Sequence, residues 1–542
     1  MTSYQLTSTD GRGYLVQLST SPVTIGRHPD NTLPINDEAA SRYHCAVEVQ
    51  GDAIMVKDLG SRNGTRVGAH KLINTTMEVN PGASIRIGGH SFTIEGEQSM
   101  EQVRRDVRSR TIDSDNAWAD ELQAMLMALP PKGEGDEQVG LIDSRSMPSA
   151  ALQQTTAGPV AMRLLLLLAA KSRATDVHVE PKVGKYTVRF RVDGQMIHIG
   201  DLPEKVGMLA LGVIRTACQM QMAAQDTVQD GRFSAKMKSR RVDYRVSVTP
   251  SVHGPKMVLR VLDASIAPRS LSELGLPTYM HERIRRVCTK EQGFVLVCGP
   301  TGSGKTTTLY NALREIDRES TNVVTIEDPV EYQLEYTTQI PIDEHKGNTF
   351  NTLLRSVLRQ DPDVILVGEI RDEETARTAM QAAMTGHLVF STVHSKDSIS
   401  AIFRLLDLKV EPFLLASSLD LVVAQRLVRS LCEVCKRSTR VSPGQASRIG
   451  KYLDGKTETF VPVGCTACLK TGYRGRRAIY EMLDFTDDLR DVILKEPTIN
   501  AMKRVVERGI FTSLLQAGWQ LAGKGHTDLE EVERVAGGGS TQ

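Results

Sequence analysis

The segment GFVLVCGPTGSGKTTTLY, residues 293–310, joins an apolar run to a glycine-rich turn and then to a helix-like pattern. The apolar run predicts a buried strand, and the turn has the spacing Gly-x4-Gly-Lys-Thr of a phosphate-binding loop. Glycines let backbone N–H groups curl around phosphates, and the helix start adds its positive end. The segment therefore predicts the strand, loop and helix of an α/β P-loop NTPase domain.

Each residue of this loop is a candidate nucleotide contact. Lys305 supplies a point charge for the β- and γ-phosphates, and the Thr306 hydroxyl can bind Mg²⁺. A nucleotide and Mg²⁺ are therefore the predicted ligands. The predicted contacts are Gly299, Pro300, Thr301, Gly302, Ser303, Gly304, Lys305, Thr306 and Thr307.

Acidic residues follow two later apolar runs, VVTI and VILV. The first run is followed by Glu327 and Glu331, and the second by Glu369. Because ligands of open parallel sheets bind at the carboxyl ends of the strands, these carboxylates can hold Mg²⁺ or orient the attacking water. A third run ends at His394, which could sense the γ-phosphate.

Four of the eight cysteines form two CxxC pairs, Cys432 with Cys435 and Cys465 with Cys468. Each pair can present two thiolates, and two such pairs make a closed tetrahedral zinc site. A start without a basic region and an apolar run favours metal over disulfides. Four thiolates leave no open coordination position, so the predicted role of zinc is structural.

Changes in pattern along the chain predict several domains, as its length also does. The N-terminal part has short apolar runs separated by Gly, Asn, Asp and Pro, which favours an all-β sandwich. The predicted divisions are a sandwich over 1–96, a partly helical or disordered linker over 97–157, an α+β domain over 158–267, and an α/β domain over 268–542 with a zinc module at about 430–470.

The charge balance gives no general attraction to nucleic acid or anionic lipid. Lys plus Arg number 66 and Asp plus Glu 65, a formal net charge of +1, so we expect no nucleic-acid partner. The longest apolar stretch, Leu164 to Ala170, falls short of the roughly 20 residues that cross a bilayer. We interpret it as a buried helix face and expect a cytoplasmic protein.

Residues from about 160 to 535 resemble the ATPases of type II secretion and type IV pilus assembly. The segments that carry the resemblance are the phosphate loop, TIEDPVE, LVGE, GHLVFSTVH, ATDVHVEP and GYRGRRAIYE. The resemblance implies a RecA-like motor domain and a homohexamer that hydrolyses ATP to ADP and phosphate. It also implies an inner-membrane platform and other secretion or pilus proteins as partners, so that the protein associates peripherally with the inner membrane.

The same resemblance implies roles for the acidic residues. Glu331 is the expected water activator, with Glu327 as its rival. Gly368 stands where a common Walker B motif has Asp, so Mg²⁺ coordination is expected to depend on Thr306 and Glu369.

Arginines from the preceding domain reach the phosphates in this family. Arg191 and Arg215 fall at the matching positions, and could act within one subunit or across two. Charge supports the assignment, because phosphoryl transfer develops negative charge. Assembly-type members also carry a zinc module where the four cysteines lie.

The N-terminus departs from this family and resembles a forkhead-associated (FHA) domain instead. The resemblance is carried by the segments GR, SRYH and DLGSRNGT. Arg27, Ser41, Arg42 and Asn63 match the positions that contact phosphothreonine, and such donors suit a phosphate dianion. A phosphothreonine-containing protein is therefore an expected partner, for regulation or recruitment.

Two other functions remain open from the sequence. A retraction or DNA-transfer ATPase of the same superfamily is one, and the four-cysteine module argues against it. A non-catalytic phosphopeptide-binding scaffold is the other, and the intact Lys305, Thr306, Glu331 and Glu369 argue against it.

Overall fold

The computed structural model describes residues 4–8, 15–51, 53–68, 70–96, 117–130, 139–223, 226–238, 240–453, 455 and 457–537. The contacts separate the chain into two units, Met1–Ala117 and Trp118–Gln542. Short 3-10 turns occur at Ala150–Leu152, Leu271–Leu274, Glu344–Lys346, Gly450–Tyr452 and Thr466–Cys468.

The N-terminal unit is a sandwich of short strands, as the sequence predicts. Its described strands are β1 Tyr4–Ser8, β2 Leu15–Leu18, β3 Val23–Gly26, β4 Leu33–Pro34, β5 Cys45–Gln50, β6 Ala53–Asp58, β7 Thr65–Val67, β8 His70–Leu72, β9 Thr76–Val79, β10 Ser84–Ile87 and β11 His90–Gly96. One sheet has the order β2-β1-β11-β10-β7-β8 and the other β4-β3-β5-β6-β9. Alternate residues of both sheets, such as Ile25, Val47, Ile85 and Phe92, form one buried core.

Asp58 at the end of β6 fixes the loops at one end of this sandwich. Its buried carboxylate accepts hydrogen bonds from Ser61 N (3.0 Å), Ser61 Oγ (2.6 Å), Thr65 Oγ1 (2.7 Å) and Asn74 N (2.8 Å). Burial acts to raise the pKa of Asp58, but these donors outweigh it and lower the pKa below its usual value. The 59–64 loop therefore depends on an ionised buried carboxylate.

An antiparallel sheet covered by helices begins the second unit. Its elements are α1 Ala117–Ala128, β12 Val139–Ile142, β13 Pro148–Ser149, α2 Ala157–Ser172, β14 Ala174–Lys182, β15 Lys185–Val192, β16 Gln195–Pro203, α3 Glu204–Ala217, β17 Gln229–Met237, β18 Arg241–Ser251 and β19 Gly254–Leu262. The strand order is β13-β12-β17-β18-β19-β14-β15-β16. The predicted buried helix face, Leu164 to Ala170, lies in α2 and packs in the core of this intermediate domain.

The structure assigns part of the predicted linker over 97–157 to the intermediate domain. Residues 97–116 and 131–138 lie outside the described residues, but α1 buries Trp118, Leu122 and Leu126 in the domain core. These side chains recur every four residues and so form one helical stripe. β12 also pairs with β17. The domain therefore starts well before the predicted boundary at 158.

A mostly parallel sheet with helices on its faces forms the rest of the second unit, the motor domain. Its elements are α4 Thr278–Cys288, β20 Gly293–Cys298, α5 Lys305–Arg314, β21 Val323–Glu327, β22 Thr338–Pro341, α6 Phe350–Val357, β23 Val364–Val367, α7 Glu373–Met384, β24 Leu388–Val393, α8 Ser398–Asp407, α9 Pro412–Ser418, β25 Leu419–Leu431, β26 Arg437–Arg440, α10 Pro443–Ile449, β27 Glu458–Val461, β28 Tyr473–Asp484, α11 Asp487–Lys495, α12 Ile499–Val506, α13 Leu514–Gly523 and α14 Leu529–Ala536.

The order of this sheet, β22-β21-β23-β24-β20-β25-β28, brings the predicted acidic strands beside the phosphate-loop strand. All strands except β28 run parallel to their neighbours, so their carboxyl ends share one edge. β26 and β27 form a separate small sheet. None of the helices in the described residues has both the length and the apolar character needed to cross a bilayer.

Replacing Asp58 by Ala should weaken the N-terminal unit. Four hydrogen-bond donors would lose a buried charged acceptor, and we expect the free energy of unfolding to fall by about 2–4 kcal/mol. Urea denaturation of the full chain, followed by NMR signals of residues 4–96, measures this loss. Asp30→Ala, which removes an exposed carboxylate 3.5 Å from His28, should leave the unfolding midpoint unchanged.

The difference between the wild type and Asp58→Ala should depend on pH. Because the folded-state pKa of Asp58 is lowered, its stabilising effect is complete above the unfolded pKa, about 3.9. The effect should decrease as the pH falls through the folded-state pKa. Equal unfolding midpoints for the two proteins at pH 7 would contradict this assignment.

Candidate functional site

The phosphate loop connects the buried strand β20 to the start of α5. Gly299 and Gly304 have φ values of 155° and 89°, in the region that favours glycine. A Cβ on Gly299 would lie 2.5 Å from the backbone oxygen of Gln425. The loop therefore has the backbone shape and the helix N-terminus that a phosphate requires.

Lys305, the first residue of α5, folds over this loop. Its Nζ donates to the carbonyl oxygens of Gly299 (2.9 Å) and Pro300 (3.1 Å). Burial lowers the pKa of Lys305, and the negative charge of Glu369 opposes that effect. The ammonium group and the Glu369 carboxylate therefore interact across the loop.

Gln425 on β25, which is not among the residues predicted from the sequence, stabilises the loop. Its Nε2 donates to Ser303 O (2.7 Å), and its Oε1 accepts from Thr308 Oγ1 (2.6 Å). One buried amide therefore holds both the loop and the first turns of α5. A glutamine inside the apolar run LDLVVAQRLV was the available signal, because a buried amide needs hydrogen-bond partners.

A cleft of about 1170 Å³ brings together the predicted nucleotide and acidic residues. Lys305 and Thr306 line it from the loop, and Glu331, Glu369 and His394 line it from neighbouring strand ends. The convergence follows from the parallel sheet, whose carboxyl edge faces the cleft.

Glu369 lies between two basic side chains. Its Oε1 accepts from Arg371 Nη2, and its Oε2 lies 3.6 Å from His394 Nε2. Burial and the positive charge of Lys305 lower the pKa of His394, while the charge of Glu369 opposes them. The neutral imidazole of His394 is therefore favoured. A change of charge in the cleft would shift its pKa and so its protonation.

The structure separates the two rival carboxylates. Glu327 is buried and accepts hydrogen bonds from the Tyr310 hydroxyl, Thr325 Oγ1 (2.5 Å) and Gln339 Nε2 (3.1 Å). Both of its oxygens therefore accept hydrogen bonds from protein groups, although Glu327 also lines the cleft. Glu331 is exposed on the cleft wall. This arrangement favours Glu331 for contact with a water molecule.

Arg191 and Arg215 do not line the cleft of a single chain. Arg191 on β15 lies 3.6 Å from Asp176 and donates to Gly194 O, and the buried Arg215 donates to Gln221 O (2.6 Å). The Arg191 side chain is partly exposed, so it could contact phosphates bound to a neighbouring subunit. Arg215 is buried, so it would have to change its conformation to reach them.

Other arginines of the intermediate domain line the cleft instead. Arg232 on β17 and Arg245 on β18 stand directly opposite each other, and Arg245 donates to Val330 O (3.0 Å). Within the described residues neither pairs with a carboxylate. Like charges opposite each other destabilise a sheet, so the pair indicates a binding site for an anion. The pair is not visible in the sequence, because strand pairing decides which arginines meet.

Loops at one end of the N-terminal sandwich carry the predicted phosphopeptide residues. Arg27, Arg42 and Asn63 are exposed on separate loops. Backbone Arg27 N donates to Ser41 O (2.9 Å), Ser41 Oγ accepts from Arg62 N (2.9 Å), and Asn63 Nδ2 donates to Ala39 O (2.8 Å). These bonds bring the predicted residues to one surface.

A buried histidine supports that surface from below. His44 Nδ1 accepts from Ser41 N (3.0 Å), and His44 Nε2 lies 3.3 Å from Gly64 O, which fits a donated hydrogen bond. Burial lowers the pKa of His44, although the Gly64 carbonyl acts to raise it. A Cβ on Gly26 would lie 2.5 Å from Arg42 O. His44 and Gly26 therefore have structural roles.

The four predicted metal ligands form one cluster in the motor domain. The Sγ–Sγ distances are 3.9 Å for Cys432–Cys465, 3.8 Å for Cys435–Cys468 and 3.7 Å for Cys465–Cys468. Zn–S bonds of about 2.3 Å in a tetrahedron place sulfur atoms about 3.8 Å apart. The cysteines are therefore free thiols arranged as a zinc site requires.

Backbone N–H groups donate hydrogen bonds to two of these sulfur atoms. Gly464 N donates to Cys435 Sγ (3.3 Å), and Cys465 N and Gly472 N donate to Cys468 Sγ (both 3.2 Å). Burial acts to raise the pKa of Cys468, but the backbone donors outweigh it and lower the pKa. Such donors stabilise the thiolates that a metal binds.

Comparison with protein families and known proteins gives two matches along the chain. A family model described as "Type II/IV secretion system protein" matches residues 154–534, and one described as "FHA domain" matches residues 23–88. Type II secretion system protein E of Aeromonas hydrophila is 38% identical over 452 residues, covering 81% of this chain and 90% of the relative.

Two further proteins are similar to the larger unit. Type IV pilus assembly ATPase PilB of Myxococcus xanthus is 40% identical over 375 residues, covering 68% of this chain and 66% of the relative. The solved structure of the Legionella pneumophila ATPase DotB covers 70% of this chain and 96% of that chain, with a TM-score of 0.54 and 21% identity. The DotB similarity supports the fold.

Proposed function

The chain belongs to the family of type II/IV secretion system proteins and is an ATPase with an FHA domain, and we propose that it works as a homohexameric motor. In this proposal the ring hydrolyses ATP and drives type II secretion or type IV pilus assembly. It is cytoplasmic and associates with the inner membrane through a platform protein and other components of the machine. The FHA domain binds a phosphothreonine-containing protein that regulates or recruits the motor.

The cleft supports this proposal most directly. It is lined by the phosphate loop and by residues from separate strands of two domains: Glu331, Glu369, His394 and the arginines Arg232 and Arg245. A binding scaffold would need the loop alone, whereas hydrolysis also needs a base for water and positive charge for the transition state.

The proposed reaction begins with binding of the nucleotide phosphates. The backbone N–H groups of residues 299–306 and Lys305 hold the β- and γ-phosphates. Thr306 and Glu369 would hold Mg²⁺, which neutralises charge on the phosphate oxygens. Glu331 accepts a proton from the attacking water, and His394 beside Glu369 responds to the loss of the γ-phosphate.

Arginines supply the positive charge that the transition state requires. Arg232 and Arg245 face the cleft from the intermediate domain, so closure of this domain over the motor domain brings them toward the γ-phosphate. The hydrogen bond from Arg245 to Val330 O (3.0 Å) links the same arginine to the segment that carries Glu331. Arg191 remains a candidate for contact from the neighbouring subunit.

Phosphothreonine binding is proposed for the surface formed by Arg27, Ser41, Arg42 and Asn63. The three loops are joined by backbone and side-chain hydrogen bonds. A phosphate dianion there would meet two guanidinium groups, a hydroxyl and an amide, which are the donors such a ligand selects.

Zinc is proposed for Cys432, Cys435, Cys465 and Cys468, where it would stabilise the module structurally. The sulfur separations and the surrounding N–H donors suit the metal.

The Glu331→Gln variant tests the motor assignment. We expect kcat for ATP hydrolysis to fall about 100-fold or more, with little change in KM, because the amide cannot accept a proton from water. Steady-state phosphate release measures both constants. Glu327→Gln should instead lower the melting temperature, because Glu327 accepts three buried hydrogen bonds. Its kcat should fall much less than that of Glu331→Gln. Unchanged kcat in Glu331→Gln would reject the assignment.

The Arg27→Ala variant tests the phosphopeptide surface. We expect affinity for phosphothreonine peptides to fall at least about tenfold, since a charge-assisted bond to the phosphate is lost, while basal ATP turnover stays normal. Fluorescence anisotropy with a phosphothreonine peptide library measures the affinity. Unmodified peptides and the Arg86→Ala variant, which removes an exposed arginine on β10, serve as controls. Wild-type affinity in Arg27→Ala would contradict the proposal.

Metal analysis of the purified chain should find one zinc ion per chain. Cys432→Ser and Cys465→Ser should each lose the metal and lower the melting temperature, because a closed site contributes folding free energy. Cys218→Ala, at a lone buried cysteine, should retain the zinc. A stable wild-type protein without zinc would contradict the proposed zinc site.

A further inference from the structure

A second cavity, of about 460 Å³, lies beside the C-terminal end of α5. Three arginines line it, Arg269, Arg314 and Arg318, and we call it the arginine chamber. Glu335 is the acidic residue among the lining residues, and it is exposed. The wall of the chamber therefore carries an excess of positive charge.

These arginines lack carboxylate partners within the described residues. Arg314 Nη1 donates to Asn311 Oδ1 (2.9 Å) and Pro268 O (3.4 Å), and Arg318 Nη1 donates to Glu335 O (2.8 Å). Arg318 Nε is buried and has no hydrogen-bond partner there. An unsatisfied buried donor destabilises the fold, and more so when it is charged. An acceptor that enters the chamber would satisfy this donor.

Structural roles explain only part of this arrangement. Arg314 lies in the last turn of α5, where a cation stabilises the helix C-terminus, and it holds the segment at Pro268. Arg318 Nη1 likewise holds the segment at Glu335, but its Nε has no partner, and the side chain of Arg269 makes no hydrogen bond within the described residues. The Nε of Arg318 is buried, whereas a surface arginine normally keeps its guanidinium group in water.

We propose that the arginine chamber binds a small polyanion, a molecule with at least two phosphate or carboxylate groups. Guanidinium groups form paired hydrogen bonds with both kinds of group. Pockets for small molecules have volumes of about 300–1,000 Å³, and the chamber falls in that range.

The chamber shares walls with the nucleotide cleft. Tyr332 and Gln333 line both, and Tyr332 directly follows Glu331. The Arg314 guanidinium carbon lies 5.7 Å from the centroid of the Tyr332 ring, which packs edge-on against Tyr310 at 4.6 Å. An anion that holds Arg314 and Arg318 therefore fixes the segment carrying Glu331 and changes ATP turnover. This coupling rests on the proposed role of Glu331, whereas the binding site does not.

Calorimetry on the full chain tests the site, with saturating ADP and Mg²⁺ to occupy the phosphate loop. Pyrophosphate and citrate are titrated separately, which distinguishes phosphate from carboxylate ligands. We expect one anion per chain and at least about tenfold weaker binding in Arg318→Gln and in Arg269→Gln, the loss typical of one charge-assisted hydrogen bond. Arg285→Gln, which removes an exposed arginine paired with Glu315 at 3.2 Å, should bind as the wild type does.

Several results would overturn the site: no heat from either anion, wild-type affinity in both chamber variants, or displacement of ADP by the anion. Hydrogen exchange at residues 332–335 should slow when the anion binds. Binding with unchanged exchange and unchanged ATP turnover would overturn the coupling to Glu331. The binding result does not depend on hydrolysis, so failure of the site differs from failure of the motor assignment.

Discussion

Two hydrogen bonds from Gln425 join the phosphate loop to the next strand of the motor sheet. The loop contains glycines with positive φ, which glycine adopts without strain, and by itself it would sample many shapes. The buried amide fixes Ser303 and Thr308 on either side of Lys305, so the loop and the helix N-terminus keep one geometry. Every charged group of the cleft is positioned relative to that geometry.

Charge in the cleft is divided between two domains. The motor domain contributes Lys305 and the acids Glu331 and Glu369, and the intermediate domain contributes Arg232 and Arg245. The arginines oppose each other on adjacent strands without carboxylate partners in the described structure. A bound anion would reduce the electrostatic repulsion between these two arginines.

Hydrogen bonds also fix the candidate binding groups of the N-terminal unit and of the cysteine cluster. Asp58 holds the loops of the N-terminal unit through four hydrogen bonds, and thereby fixes a surface of exposed donors. Backbone N–H groups donate to two of the four cysteine sulfurs, those of Cys435 and Cys468. In both cases the supporting hydrogen bonds come from groups other than the proposed ligand contacts. The arginine chamber differs, because there the unsatisfied charge lies on the lining residues themselves.

Local sequence determined the β-sandwich, the parallel sheet, the phosphate loop and the cysteine pairs, because strand periodicity, glycine spacing and CxxC spacing are short-range features. A partly helical linker was predicted over 97–157, but the packing of α1 into the intermediate domain was not. Tertiary structure alone buried Glu327 and exposed Glu331, paired Arg232 with Arg245, and left Arg191 and Arg215 outside the cleft. It also brought Gln425 to a loop more than 100 residues earlier in the chain. Such contacts depend on strand order and register, which join residues distant in sequence, and no local pattern encodes which side chain then faces the ligand.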